Sequence, residues 1–205
     1  LSERIKKRIK KIEKNLPDGL SLNIAFDRST YVKSAIFEIW KTLAIAFVLV
    51  TLIIFLFLGN IKSVIVPAVA LPVSLIGTFL GLWIFDLSIN IFVLLSFILA
   101  IGIITDDSVI MTDAIYQRIE DGQTPLVASF LGAKSITAPI ISTTLVLVAS
   151  FAPLIFLSGI SGTLFKETAI ALGFAIVVSS FVALTLSPAL AANFLSKNMK
   201  KTKIV

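Results

Sequence analysis

Two adjacent carboxylates interrupt an otherwise apolar run at Ile104-Thr105-Asp106-Asp107-Ser108. Apolar residues precede them, and Val109, Ile110, Met111, Ile115 and Tyr116 extend the run for about two more helical turns. An aspartate at the centre of a bilayer costs ~2.5–3.5 kcal/mol on insertion scales, and such residues face a bundle interior or a water-filled cavity and mark ion or proton paths. Two like charges in one low-dielectric site also repel each other. The chemistry open to such a pair is proton exchange. Neutral carboxyls let helices pack one way, charged ones require a cation or water, and neighbours this close titrate as one coupled unit. Two placements are compatible with the sequence. Leu87 to Thr105 is itself long enough to cross the hydrocarbon, which would leave the pair in the interface. The apolar continuation to Tyr116 favours a pair within the membrane.

Around the pair, Gly102, Asp106 and Asp113 share one helical stripe by their spacing of four and seven. Thr105, Ser108 and Thr112 supply hydroxyls nearby. The stripe reads either as a hydrated face or as packing, with Gly102 on the packing side and Asp113 at the interface. Ser142, Thr143 and Thr144 are candidate hydrogen-bond partners of the carboxylates from another span, although such hydroxyls more often bond their own helix backbone. Gly77-Thr78-Phe79-Leu80-Gly81 is a G-x-x-x-G that permits close helix approach. The segment Ser158–Thr163, with Gly159 and Gly162, reads as an outer loop. It is no phosphate cradle, because no Lys-Ser/Thr follows it.

The elements that must position these residues are set by composition. Of 205 residues, 57% are hydrophobic and 15% charged, against ~45–50% and ~25% in soluble domains. A globule of this length cannot bury so much apolar surface, so lipid is the expected solvent. The sequence has no Cys and no His. That excludes disulfides, thiolate metal sites, Cys nucleophiles and the Ser-His-Asp triad. No enzyme activity, cofactor or metal is expected. The net charge is +6, and the charges gather at the ends of the apolar runs. That pattern fits a membrane surface and not a nucleic acid.

Residues 1–36 form a separate polar region. Leu1, Ile5, Ile9, Ile12 and Leu16 mark one face of an amphipathic helix. Leu16-Pro17-Asp18-Gly19 breaks it, and Leu20, Leu22, Ile24 and Phe26 alternate as a strand. Five apolar spans follow within 37–196, at about 38–58, 63–85, 88–116, 136–157 and 168–195, each near the ~20 residues that cross a bilayer. The expected fold is an all-α integral membrane bundle of five transmembrane helices with a short extracytoplasmic α+β remnant. Between the third and fourth spans, Asp121-Gly122 ends one helix and Thr124-Pro125 starts another. The new helix either lies in the interface or runs on into the fourth span. Pro67, Pro72, Pro139, Pro153 and Pro188 sit in or beside spans, where neighbouring groups can satisfy the freed carbonyls. Lys62, Arg118, Lys134 and the basic tail 197–205 fall on one side, which the positive-inside tendency makes cytoplasmic. Residues 1–36 then lie outside the cytoplasm. The chain starts at Leu1 and is expected to be part of a longer protein.

The run Ala100-Ile101-Gly102-Ile103-Ile104-Thr105-Asp106-Asp107-Ser108-Val109-Ile110-Met111-Thr112-Asp113 resembles the fourth transmembrane helix of inner-membrane pumps of the resistance–nodulation–division (RND) superfamily. Leu56-Phe57-Leu58-Gly59-Asn60, Val66-Pro67, Leu71-Pro72-Val73 and Gly77-Thr78-Phe79 are similar to its second and third helices. Asp86-Leu87-Ser88-Ile89-Asn90 is similar to the outer turn that follows. Phe151-Ala152-Pro153-Leu154, Ser161-Gly162 and Leu186-Ser187-Pro188-Ala189-Leu190 are similar to the fifth and sixth helices. The resemblance covers essentially the whole chain. It implies that residues 1–36 end a porter subdomain and that Asp106 and Asp107 are the proton-relay carboxylates. Thr105, Ser108 and Asp113 stand as relay neighbours where Val, Ala and Glu are usual. The adjacent pair is similar to the hydrophobe/amphiphile, multidrug branch. The resemblance further implies a proton/substrate antiporter in the bacterial inner membrane. It implies a homotrimer with a periplasmic adaptor and an outer-membrane channel, and a second half of the pump that supplies the Lys facing the carboxylates. Other readings are a superfamily role in lipid transport or protein export, a five-helix sensing or structural module, and an inactive gene fragment.

Overall fold

In the computed structural model, residues 2–13, 17, 28–58, 61–87 and 90–195 are described. The chain divides into two compact units, Leu1–Glu38 and Ile39–Val205. The first contains helix α1 (Ser2–Glu13), where the apolar spacing called for a helix. The strand expected over 20–26 lies outside the described residues, so the α+β character of this region is not shown.

The described residues of the second unit are helices joined by short turns. Helix α2 (Arg28–Leu58) begins in the first unit and supplies its remainder here. It is followed by α3 (Ile61–Ile84), α4 (Ile91–Glu120), α5 (Pro125–Phe151), a 3₁₀ turn (Ala152–Phe156) and α6 (Gly159–Phe194). Five of these helices are long and apolar enough to cross a membrane. Alternation of polar and apolar faces is weak in all five, as expected where lipid replaces water around the bundle.

The core is made by α3, α4 and α6, with α6 packed most extensively on α4 and α5 laid against α6 and α4. Val66, Met111, Ile115, Ala128, Ile140 and Ala183 meet in one buried cluster drawn from α3, α4, α5 and α6. Phe79 stacks on buried Phe97 with ring centroids 4.4 Å apart, and Trp40 of α2 stacks on Phe79 at 6.2 Å. Small residues set the helix spacing. A Cβ at Gly77 would lie 2.7 Å from Val178 Cγ1, and one at Gly81 would collide with the ring of Phe174. The G-x-x-x-G therefore faces α6. Gly132 is a second close approach: a Cβ there would lie 2.7 Å from Ile115 Cγ1 and 3.2 Å from Ile115 Cα.

The caps that start and stop α4 are explicit. Asn90 Oδ1 accepts from the Val93 amide at 2.9 Å, and its Nδ2 donates to Glu167 Oε2 of α6. Asn90→Ala removes both contacts and is expected to cost about 1 kcal/mol through the cap alone, read as a lower unfolding midpoint in lipid or detergent. At the other end, Gly122 holds φ +94, and Gly122 N and Gln123 N donate to Ile119 O (3.0 Å) and Arg118 O (3.1 Å). This is the paired carbonyl capture of a Schellman end. Only a residue without Cβ adopts that φ freely, so Gly122→Val is expected to cost roughly 1–2 kcal/mol in the same assay, and Gly122→Asn distinctly less.

The structure resolves the connection left open after Gly122. Thr124 precedes Pro125 at the first turn, and the helix runs unbroken through Pro139 to Phe151. No separate interfacial helix forms, because the apolar residues after Lys134 continue the helix without a breaker that acts as one. The expected outer loop 158–163 is corrected as well: α6 begins at Gly159. Gly159 takes φ +80, and a Cβ at Gly162 would strike the carbonyl of Leu157. The two glycines let the chain reverse directly from the 3₁₀ turn into the helix.

Candidate functional site

Asp106 and Asp107 occupy the middle of the 30-residue α4. Successive helical residues point about 100° apart, so the neighbours face different surroundings. Asp107 is buried, at 8% exposure. It faces α6, where Ser180 Oγ donates to Asp107 Oδ2 at 3.0 Å. Asp106 is exposed on the side of α4 turned towards α2 and α5. It lines two cavities. One, of about 450 Å³, lies between α4 and α5 and includes Asp106, Asp107, Ser142 and Thr143. The other, of about 270 Å³, includes Val50, Ile53 and Ile54 of α2 with Gly102, Thr105 and Asp106.

A seam of small hydroxyls joins α4 to α6. Ser179 Oγ donates to Ile104 O at 3.2 Å, Ser180 reaches Asp107, and Ser187 Oγ donates to Ser108 Oγ at 3.4 Å. All three α6 serines are buried. In a membrane-spanning bundle such bonds hold helices together where a hydrophobic driving force is absent. From α5, Thr144 Oγ1 meets Ser180 Oγ and lies 2.7 Å from Ile140 O. Thr143 donates to Ile140 O at 2.9 Å.

The sequence-named residues fall into distinct groups. Asp107, Ser108 and Thr144 belong to one hydrogen-bonded region. Ser142 and Thr143 share a cavity with the carboxylates, but Thr143 bonds its own backbone. Thr105 donates to Ile101 O (2.9 Å) and Gly102 O (2.8 Å) of its own helix. Asp113 is half-buried and accepts from Gln117 Nε2 at 2.8 Å, apart from the pair. A Cβ at Gly102 would meet nothing within 4 Å, so no neighbour among the described residues demands glycine there. Ser179, Ser180 and Ser187 were not foreseen. Their signal was present, since polar hydroxyls recur two turns apart in an apolar span. Among the described residues, no group of His, Cys, Asp and Glu could hold a metal ion.

Five helices long and apolar enough to cross a membrane, with a carboxylate pair at the middle of α4, define a multi-pass membrane protein. The AcrB/AcrD/AcrF family model matches residues 1–204, and the chain belongs to that family, within the RND superfamily. It is 39% identical over 202 residues to a protein of Haemophilus influenzae described as an uncharacterized transporter, covering 98% of this chain and 20% of that protein. It is 36% identical over 193 residues to the multidrug resistance protein MdtC of Yersinia enterocolitica, covering 94% and 19%. It is 36% identical over 201 residues to MdtC of Pectobacterium carotovorum, covering 98% and 20%. The chain thus spans about a fifth of the length of these relatives.

Proposed function

We propose that this chain is the proton-binding helix set of a secondary active exporter of hydrophobic or amphiphilic compounds, drugs among them, with Asp106 and Asp107 as its proton-relay carboxylates. The observation that carries the reading is their position in α4. A helix of 30 residues is about 45 Å long, whereas the hydrocarbon is about 30 Å thick. Any such slab contained within the helix includes its midpoint, and the pair lies there. The polar residues Asp113, Gln117, Arg118 and Glu120 crowd the C-terminal third, so the slab is displaced towards Ile91 and the carboxylates sit in its C-terminal part.

The environments suit a relay. Asp106 borders two cavities through which water or a cation can approach, and Asp107 is held by a hydroxyl of the packed interior. The cores of these helices contain no Lys or Arg, so a basic partner would come from elsewhere in the transporter. Protons entering from outside would move with the membrane potential, each elementary charge supplying ~2.3 kcal/mol per 100 mV. We place residues 1–36 on the periplasmic side of a bacterial inner membrane and the tail 197–205 in the cytoplasm. The assembly we propose is a homotrimer with a periplasmic adaptor and an outer-membrane channel. The multidrug resistance designation of the MdtC relatives supports the substrate class.

The test is counter-transport. A transporter carrying these helices, reconstituted in vesicles containing a pH-sensitive dye, is expected to move protons opposite to an added amphiphilic dye substrate. Substrate movement without any proton flux would overturn the antiport reading.

A further inference from the structure

We propose that Ser180 and Thr144 are positioning residues for Asp107, forming a hydroxyl chain whose direction reverses with the proton on that carboxyl. The proposal rests on Asp107 as a proton-binding group and adds to it the route by which α5 senses the proton.

Three oxygen contacts lie in series. Asp107 Oδ2 meets Ser180 Oγ at 3.0 Å, Ser180 Oγ meets Thr144 Oγ1, and Thr144 Oγ1 meets Ile140 O at 2.7 Å. Each hydroxyl brings one proton, and an ionised carboxylate and a carbonyl bring none. With Asp107 ionised, two protons serve three contacts. Ser180 donates to Asp107, Thr144 donates to Ser180, and the Thr144–Ile140 contact has no proton. With Asp107 protonated, the carboxyl supplies the third. Asp107 then donates to Ser180, Ser180 to Thr144 and Thr144 to Ile140 O, so every contact is a hydrogen bond. No proton leaves its oxygen in this reversal; the two hydroxyls rotate.

The reversal leaves no buried acceptor stranded. Thr143 also donates to Ile140 O, at 2.9 Å, so the carbonyl keeps a side-chain donor when Thr144 turns away. The same carbonyl, inside continuous α5, also accepts the main-chain N–H four residues on, so the turn of Thr144 costs it one of several donors. The chain therefore links the proton on α4, through α6, to the backbone of α5 one residue beyond Pro139, and bonds in series polarise one another.

Few other charges face this region. On α4 the adjacent titratable group is Asp106, with Asp113, Arg118 and Glu120 further along. On α5 the one charged residue is Lys134, ten positions before Thr144, about 15 Å along the helix. On α6 they are Lys166 and Glu167, at least thirteen positions before Ser180, about 20 Å away. On α3 the charged residue is Lys62, at its start.

The experiment is pH-difference infrared spectroscopy on a transporter carrying these helices in lipid. The readout is the carbonyl stretch of the protonated carboxyl, assigned to Asp107 by its loss in Asp107→Asn. Thr144→Val is expected to shift this band, although Thr144 makes no bond to Asp107, and Ser180→Ala to shift it further. Thr144→Ser and Ser180→Thr, which keep the hydroxyl, are expected to restore it. Thr144→Ala serves in place of valine if that variant does not fold. A band assigned to Asp107 that ignores both Thr144 variants would overturn the chain while leaving the proton-binding reading intact. A spectrum with no band that Asp107→Asn removes would overturn both.

Discussion

Asparagine in place of Asp107 is expected to reduce proton-coupled export by a transporter carrying these helices to background, with the protein still folded and in the membrane. Asn has nearly the shape of Asp, and its amide oxygen can still accept from Ser180 at the 3.0 Å contact. It cannot gain or lose a proton at physiological pH. The change therefore removes the chemistry and keeps the packing. Asp106→Asn is expected to give the same loss by a different route, because that carboxyl borders the cavities and not the α6 seam. Asp113→Asn is the control. That side chain is half-buried and bonded to Gln117 one turn away, and its replacement is expected to leave transport within about twofold, since i,i+4 pairs of this kind contribute ~0.5 kcal/mol or less. Transport is measured in vesicles under an imposed pH gradient, normalised to the amount of inserted protein. Wild-type rates in Asp107→Asn would refute the relay assignment.

The second large effect is steric and falls on Gly132. Gly81 and Gly132 both sit where a neighbouring helix comes close, but what opposes a new Cβ differs. At Gly81 it is the ring of Phe174. That ring also borders a cavity of about 280 Å³ with Phe85 and Val148, so it has space to swing. At Gly132 it is Ile115, including its backbone, with Cα at 3.2 Å and N at 3.3 Å, and main chain in a buried helix cannot rotate away. Gly132→Val must therefore separate α5 from α4. We expect it to cost at least the ~1–3 kcal/mol usual for overpacking and to disturb Thr144 and the cavity above it. Gly81→Ala is expected to cost distinctly less. Unfolding of each variant in mixed micelles, titrated with a denaturing detergent, gives the comparison. Equal costs at the two positions would show that the α4–α5 contact is softer than described.

The contrast shows what a sequence discloses in such a fold. The five helices were legible because a bilayer demands long uninterrupted apolar runs, and composition alone forced the lipid environment. The carboxylates were legible because their cost there is high. The G-x-x-x-G at Gly77 and Gly81 has a repeat that draws the eye, whereas Gly132 stands alone and its role depends on a helix fifteen or more residues away in sequence. Helix ends were harder. Gly159 and Gly162 mark a loop by their type, yet here they permit a tight reversal into α6. The pair itself was read as one unit because its members are adjacent, but the 100° step of a helix gives them separate environments. The α6 serines carry no such mark: hydroxyls in apolar helices usually bond their own backbone, and only the packing of α6 on α4 directs Ser180 elsewhere.

Depth in the membrane is the quantity on which the proton mechanism stands, and these 205 residues contain no Cys to compete with a label placed on their helices. Leu145 is 65% exposed and follows Thr144, while Phe181 is 68% exposed and follows Ser180, so both lie at the level of Asp107. Nitroxides attached to Leu145→Cys and Phe181→Cys, in a transporter carrying these helices in lipid bilayers, are to be compared with one at Gln117→Cys. The expected result is collision with dissolved oxygen far exceeding collision with a water-soluble nickel chelate at 145 and 181, and the reverse at 117. Nickel access at 145 and 181 equal to that at 117 would place the carboxylates in open water and contradict the mechanism.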